Sequence, residues 1–118
     1  MELHDVHEYA LSLPDVTEGF PFGPEVLVLK VCGKMFATLA IDAVPPRMNL
    51  KNLPDENVRL RQEHPCVLPG YHMNKEHWNT VVLDGSVPDQ LVRDWVETSW
   101  RLVAQGLRKS DRVRLGLG

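Results

Sequence analysis

Two apolar segments joined by a tight turn constrain the fold of this chain more than any other feature. Val26 to Val31 is rich in leucine and β-branched residues, and Met35 to Ile41 alternates in size and polarity. Cys32-Gly33-Lys34 lies between them, and a short glycine-containing link between two strand-like runs is typical of a β-hairpin. The sequence therefore predicts a β-hairpin over residues 26–41.

Three further segments have the composition of strands. Arg47 to Lys51 alternates, so that Met48 and Leu50 can face a core while the residues between them face outward. Val67 to His72 and Trp78 to Leu83 are apolar runs separated by a polar link. With the hairpin, these segments predict five strands.

The first two helices are marked by spacing and by proline. Glu2 to Leu13 carries apolar residues at helical spacing. Pro54 stands at a suitable first position for a short charged helix that ends at about His64. Pro14 to Pro24 contains three prolines and two glycines, which is typical of a loop, and we expect Phe20 and Phe22 to anchor that loop to the core.

A final helix of about five turns is predicted near the C-terminus. Ser86 and Asp89 resemble a capping box before it, and Gly106 is a suitable stop. Its expected buried stripe consists of Leu91, Val92, Trp95, Val96, Ser99, Leu102 and Val103. The order α-β-β-β-α-β-β-α predicts a two-layer α+β domain, with a mainly antiparallel five-stranded sheet and helices on one face.

Length and charge suggest one domain. At 118 residues the chain can bury a single core, which we place at residues 1–107, and residues 108–118 are expected to form a flexible basic tail. The acidic N-terminus lacks the basic region of a signal peptide, so a cytoplasmic protein is expected, with Cys32 and Cys66 as reduced thiols. We expect a monomer that does not enter membranes.

Several motifs together resemble the signature of the MmcQ/YjbR family, from the first helix to about Leu107. The last two motifs are long and unusual in composition, whereas the chain departs from the family pattern at Cys66 and Trp100. In order, the motifs are Pro21-Phe22-Gly23, Gly33-Lys34-Met35-Phe36, Asn49-Leu50-Lys51, Pro69-Gly70-Tyr71-His72-Met73-Asn74-Lys75 and His77-Trp78-Asn79-Thr80.

This resemblance implies a fold and suggests a function. Members of the family look like a two-layer α/β fold similar to that of type III secretion chaperones, which agrees with the element order derived above. They are commonly described as DNA-binding proteins with a double-wing arrangement. The resemblance thus makes DNA the first expected partner.

The candidate binding residues are polar side chains that one face of the sheet could present. The bases would contact phosphates, and the asparagines would offer amide groups to groove edges. Because the net charge is −3, binding by bulk electrostatics is not expected. The candidates are Lys34, Arg47, Asn49, Lys51, His72, Asn74, Lys75, His77, Trp78 and Asn79.

Structural roles compete with binding at several of these positions. Trp78 opens a strand and is more often a core anchor than a stacking platform. His72 and His77 can brace a turn by bonding to backbone groups. Asn74 is the asparagine that best fits a turn.

No pattern in the sequence indicates catalysis, a metal site or a cofactor. His64, Cys66, His72 and His77 are suitable zinc ligands, but their spacing fits none of the usual paired motifs. No phosphate-binding loop, serine elbow or activated cysteine is recognisable. We therefore expect a protein that is not an enzyme.

The sequence is compatible with three functions. A DNA-binding module would use the hairpin and the strand from Arg47 to Lys51. A protein-interaction domain would follow the likeness to secretion chaperones. A pocket for a small anionic ligand would lie between Asn49-Leu50-Lys51 and the segment from Tyr71 to Thr80.

Overall fold

A computed structural model describes all 118 residues. Its class, α+β with an antiparallel sheet, is the class that the sequence predicts. None of the helices has the length and apolar composition needed to cross a bilayer. The elements are α1 (Leu3–Ser12), β1 (Val16–Gly19), β2 (Val26–Val31), β3 (Lys34–Ala40), β4 (Arg47–Lys51), α2 (Pro54–Glu63), β5 (Val67–Pro69), β6 (Trp78–Val82), α3 (Asp89–Gln105) and α4 (Lys109–Arg114).

Six strands pair antiparallel in the order β1-β2-β3-β4-β6-β5, so the expected number of five is wrong. The additional strand is β1, which pairs with β2 from Val16 opposite Val31 to Gly19 opposite Val28. Its four residues lie within the segment from Pro14 to Pro24. A strand of four residues between prolines and glycines is too short to show an alternation of apolar and polar residues.

The predicted hairpin is confirmed as β2 and β3. Cys32 and Gly33 both have positive φ, 47° and 81°, as in the turns whose twist matches that of hairpin strands. Beyond the turn, Lys30 lies opposite Met35 and Leu29 opposite Ala37, which leaves Phe36 as the extra residue of a β-bulge. Phe36 and Ala37 are both buried in the core.

The helices cover one face of the sheet. Helix α3 packs across β2, β3 and β4, α1 packs on α3 and β1, and α2 packs on β5 and β6. Within α3, Ser99 is fully buried, donates to the carbonyl oxygen of Phe36 at 2.5 Å and accepts from the backbone N–H of Lys51 at 2.8 Å. One hydroxyl thus joins α3 to the bulge and to β4.

Some element ends differ from those expected. The capping box at Ser86 does not form: Ser86 donates instead, from its N–H and its hydroxyl, to Oδ1 of Asp84, and α3 follows Pro88. Those bonds lower the pKa of the Asp84 carboxyl. Gly106 caps the end of α3 as predicted. Strand β5 ends at Pro69 rather than His72, and the loop to β6 begins after Pro69.

The C-terminal segment, which was expected to be a flexible tail, contains a short helix. This helix is α4, and Leu115 beyond it packs against the core. The Arg114 guanidinium bonds to the Asp15 carboxylate, and it donates to Asp111 Oδ1 at 3.0 Å. These contacts hold α4 beside the start of β1.

The other side of the sheet has no helix over it. We call it the open face, the side that carries Val26, Thr38, Asn49 and Thr80. Val28 and Thr38 pair across β2 and β3 on this face and are nevertheless buried. The open face is therefore a concave surface, and two loops border it.

Candidate functional site

A groove of about 490 Å³ occupies the open face. Val26, Met35 and Ala40 give it an apolar floor. Phe22, from the loop between β1 and β2, forms one wall, and residues 71–73, from the loop between β5 and β6, form the other. Its volume lies within the range of about 300 to 1,000 Å³ that is usual for ligand sites.

The Phe22 wall contradicts an expectation from the sequence. Phe22 and Phe20 were expected to anchor their loop to the core, but 69% of Phe22 and 50% of Phe20 is exposed. Gly23 follows Phe22 with a φ of 110°, so the turn directs the chain back to β2 without burying the ring. An exposed phenylalanine at the edge of a groove is available to a partner.

A small hydrogen-bond network holds the opposite wall. The backbone N–H of Tyr71 donates to the Thr80 hydroxyl at 2.9 Å, and this hydroxyl donates to Oδ1 of Asn49 at 2.5 Å. Nδ2 of Asn49 donates in turn to the carbonyl oxygen of Tyr71 at 3.4 Å. Asn49, a predicted site residue, lines the groove, and its amide is used to position the loop.

Two of the loop's residues have a special backbone. His72 has a φ of 57°, and its ring lies 4.0 Å from that of Tyr71, centroid to centroid. Gly70 approaches β6 so closely that a Cβ there would lie 2.8 Å from the carbonyl oxygen of Trp78. The loop therefore has one defined position, with Tyr71 and His72 exposed at the groove.

Three cations are placed on the open face by strand register. Arg47 lies opposite Ala40 and lines the groove, and Lys51 lies two residues beyond Asn49 on the same side. Lys30 lies opposite Met35 and was not among the predicted residues. None of the three has a carboxylate within 4 Å, whereas the only acid on a strand, Glu18, bonds to His7 of α1 on the helix side.

Two other predicted bases are placed differently. Lys34 lies opposite Val31, a core residue, so it leaves the hairpin on the helix side of the sheet. Nζ of Lys75 donates to the carbonyl oxygen of Gly70 at 3.1 Å and braces the loop. The predicted set of bases therefore does not form one face.

The remaining asparagines serve the fold. Oδ1 of Asn74 accepts from the N–H groups of Glu76 and His77, at 2.9 and 3.2 Å, which is the turn role considered for it. Asn79 is 3% exposed on the helix side and donates to the carbonyl oxygen of Asn57. Asn79 cannot reach a partner on the open face.

The predicted rings lie in different surroundings. Trp78 is half-buried beside Gly70 and is not part of the main core. His77 is exposed. Of the residues considered for zinc, His64 packs against the Trp95 ring, with centroids 5.2 Å apart. The structure brings no three metal-ligating side chains together.

Sequence reasoning missed much of the groove lining, including Phe22, Val26, Met35 and Ala40. One signal was present in the run from Val26 to Val31, which is apolar at almost every position. Such a run indicates a strand that is covered on both faces, whereas alternation indicates one covered face. The predicted helices cover only one face of the sheet. The apolar residues on its other face are explained by the groove, which they line.

Comparison with known proteins places the chain in a family. The YjbR family model matches residues 11–102. The uncharacterised protein YbdF of Escherichia coli O157:H7 is 39% identical over the whole of both chains. YjbR of E. coli K12, also uncharacterised, is 30% identical over 98% of each chain.

A solved structure supports the same assignment. The crystal structure of protein DR2400 of Deinococcus radiodurans, a DUF419 domain, superposes with a TM-score of 0.91 at 41% identity. The match covers 99% of this chain and 89% of that one. By family model, relatives and fold, the chain belongs to the YjbR family.

Proposed function

We propose that the protein is a non-enzymatic nucleic-acid-binding module that receives its partner on the open face. One observation carries the proposal: Lys30, Arg47 and Lys51 share the open face with an apolar groove, which Arg47 lines, and no carboxylate forms an ion pair with any of them. Phosphate groups are the usual partners of such cations. DNA is the partner that the family's description suggests.

The distribution of charge supports this surface despite the net charge of −3. The strands carry four bases and one acid, and that acid lies on the helix side. A local field of one sign attracts a phosphate chain at short range, because salt screens charges that lie beyond about 10 Å. The acidic residues elsewhere on the protein lower the affinity for phosphate but do not lie on the open face.

The expected binding is modest and depends on salt. If three phosphates are neutralised, the logarithm of the affinity falls with the logarithm of salt concentration with a slope of about −2 to −3. Between about 50 mM and about 200 mM salt, the affinity is then expected to fall by about 16- to 64-fold. Fluorescence anisotropy of labelled DNA measures both quantities.

The decisive experiment removes three charges from the open face. A variant with Lys30→Gln, Arg47→Gln and Lys51→Gln should lose most of the binding and of the salt dependence. The matched control has Lys34→Gln, Arg93→Gln and Lys109→Gln, which changes the net charge equally at positions away from that face. Equal affinities for the two variants would show that the open face is not the site.

A pocket for a small anionic ligand is a second candidate, which the volume of the groove favours. Arg47 would bind the anionic group, while Val26 and Ala40 would contact an apolar part. A library of organic anions should then contain compounds that raise Tm for the wild type but not for Arg47→Gln. A library without such a compound would count against this candidate.

A further inference from the structure

The proposed nucleic-acid site has a shape that discriminates between duplex and single strand. Proteins that read a duplex insert a protruding helix or a two-stranded ribbon into its major groove. Here the unpaired cations lie on the same face as a concave groove, which Arg47 lines. A duplex lying across the groove would leave the floor at Val26 and Ala40 in contact with water.

The hairpin of β2 and β3, the natural candidate for a protruding reader, is not free. Sγ of Cys32 at its tip lies 3.3 Å from Nη2 of Arg114 in α4, and the N–H of Cys32 donates to the carbonyl oxygen of Asp15 at 3.2 Å. Arg114 beside this tip is paired with the carboxylates of Asp15 and Asp111, so its charge is not free to bind phosphate. The hairpin is therefore unsuited to the major groove.

The walls of the groove are suited to unpaired bases. Phe22 and Tyr71 stand on opposite walls and are 69% and 62% exposed. Thr80 fixes the backbone at Tyr71, so the loop loses little conformational entropy when a partner binds. Stacking of a base on an aromatic ring strengthens binding by about five-fold or more and requires no particular base.

We propose that this groove binds single-stranded nucleic acid, with unpaired bases stacked on Phe22 and Tyr71 and flanking phosphates on Lys30, Arg47 and Lys51. This inference rests on the proposed function and narrows it. The proposal does not include recognition of base edges, because the side-chain amide of Asn49 is already hydrogen-bonded to the Thr80 hydroxyl and to the Tyr71 carbonyl oxygen. The binding is therefore expected to show little sequence preference.

The test compares labelled oligonucleotides of about 12 nucleotides by fluorescence anisotropy: a single strand, the same strand as a duplex, and an abasic single strand. The single strand should bind at least about ten-fold more tightly than either of the others. Equal or tighter binding of the duplex would overturn the single-strand proposal and leave the proposed function intact. If none of the three binds, both fail.

Two ring substitutions locate the stacking. Phe22→Ala and Tyr71→Ala should each weaken single-strand binding about five-fold or more and leave duplex binding unchanged, while Tyr71→Phe, which keeps the ring, should bind like the wild type. Because both rings are largely exposed, these variants should melt at the wild-type Tm. If Tyr71→Ala and Phe22→Ala bind the single strand as tightly as the wild type, the stacking model is wrong.

Discussion

Asn49 and Thr80 lie opposite each other on β4 and β6, and the Thr80 hydroxyl donates to the Asn49 side chain at 2.5 Å. The pair joins two sequence motifs that were interpreted as parts of a binding surface. Through Tyr71 it holds the loop of residues 70–77 over the open face. Part of the polar signature therefore builds the wall of the groove and leaves contact with a partner to other side chains.

Thr80→Val tests this role, since it keeps the shape of the side chain and removes the hydroxyl. The N–H of Tyr71 then loses its acceptor and Asn49 loses a donor, at a cost of about 1–3 kcal/mol in the free energy of unfolding. Urea denaturation measures this cost, and faster amide hydrogen exchange at Tyr71 would locate it. Thr17→Val, on an exposed position of β1, is the control. If both variants unfold alike, the network contributes nothing.

Gly70→Ala should displace the same loop by steric conflict. The added Cβ would lie 2.8 Å from the carbonyl oxygen of Trp78 and 2.9 Å from its Cβ, so backbone must move. We expect a loss of about 1–3 kcal/mol of stability, which is typical of overpacking, and weaker binding at the groove. Gly19→Ala is the matched control, because nothing lies within 4 Å of its added Cβ. A wild-type Tm for Gly70→Ala would show that the loop backbone can shift without loss of stability.

The fold was largely predictable because its signals are local. The turn at Cys32-Gly33 and the alternation of Arg47–Lys51 depend on neighbours in sequence, and both predictions are confirmed. Strand β1 was missed because its own four residues show no strand pattern. Its extended conformation depends on pairing with β2. Helix α4 was missed because contacts of Arg114 with the distant Asp15 hold it in place.

The candidate site was less predictable because strand register decides the face of each side chain. The bulge at Phe36 places Lys34 on the helix side, and nothing in the residues around Lys34 reveals a bulge. Asn79 was expected on the same face as Asn49, but it pairs with Leu50, and consecutive positions on β6 face opposite sides. Thr80 is therefore the residue that meets Asn49. Lys30 was overlooked inside an apolar run.

Ser99→Ala should destabilise the helix layer at one defined point. The fully buried hydroxyl serves the carbonyl oxygen of Phe36 and the N–H of Lys51, and both would lose their partner. Each unsatisfied buried group costs about 1–3 kcal/mol, so the free energy of unfolding should fall by about 2 kcal/mol or more. Ser110→Ala, at an exposed position of α4, is the control in urea denaturation. A loss no larger than that of the control would show that water replaces the hydroxyl.

The docking of α4 should depend on pH through Asp111. A bond from Arg114 lowers the pKa of the Asp111 carboxyl below its ordinary value in the folded protein. A carboxyl with a lowered pKa stabilises the fold above its unfolded pKa of about 3.9, and this contribution disappears as the pH falls through the lower folded value. The docking of α4 should therefore be constant near neutral pH and weaken only in acid.

Backbone ¹⁵N relaxation of residues 109–114 between about pH 7 and about pH 3 measures this change, because relaxation reports fast motion of the helix. In the wild type, mobility should increase only at the acid end. Asp111→Asn should be more mobile at neutral pH and change little on acidification, since the titrating group is gone. Asp42→Asn, at an exposed carboxylate without an ion pair, should behave like the wild type. If the wild type and Asp111→Asn respond alike to acid, another group controls α4, and Asp15, the other carboxylate bonded to Arg114, becomes the one to substitute.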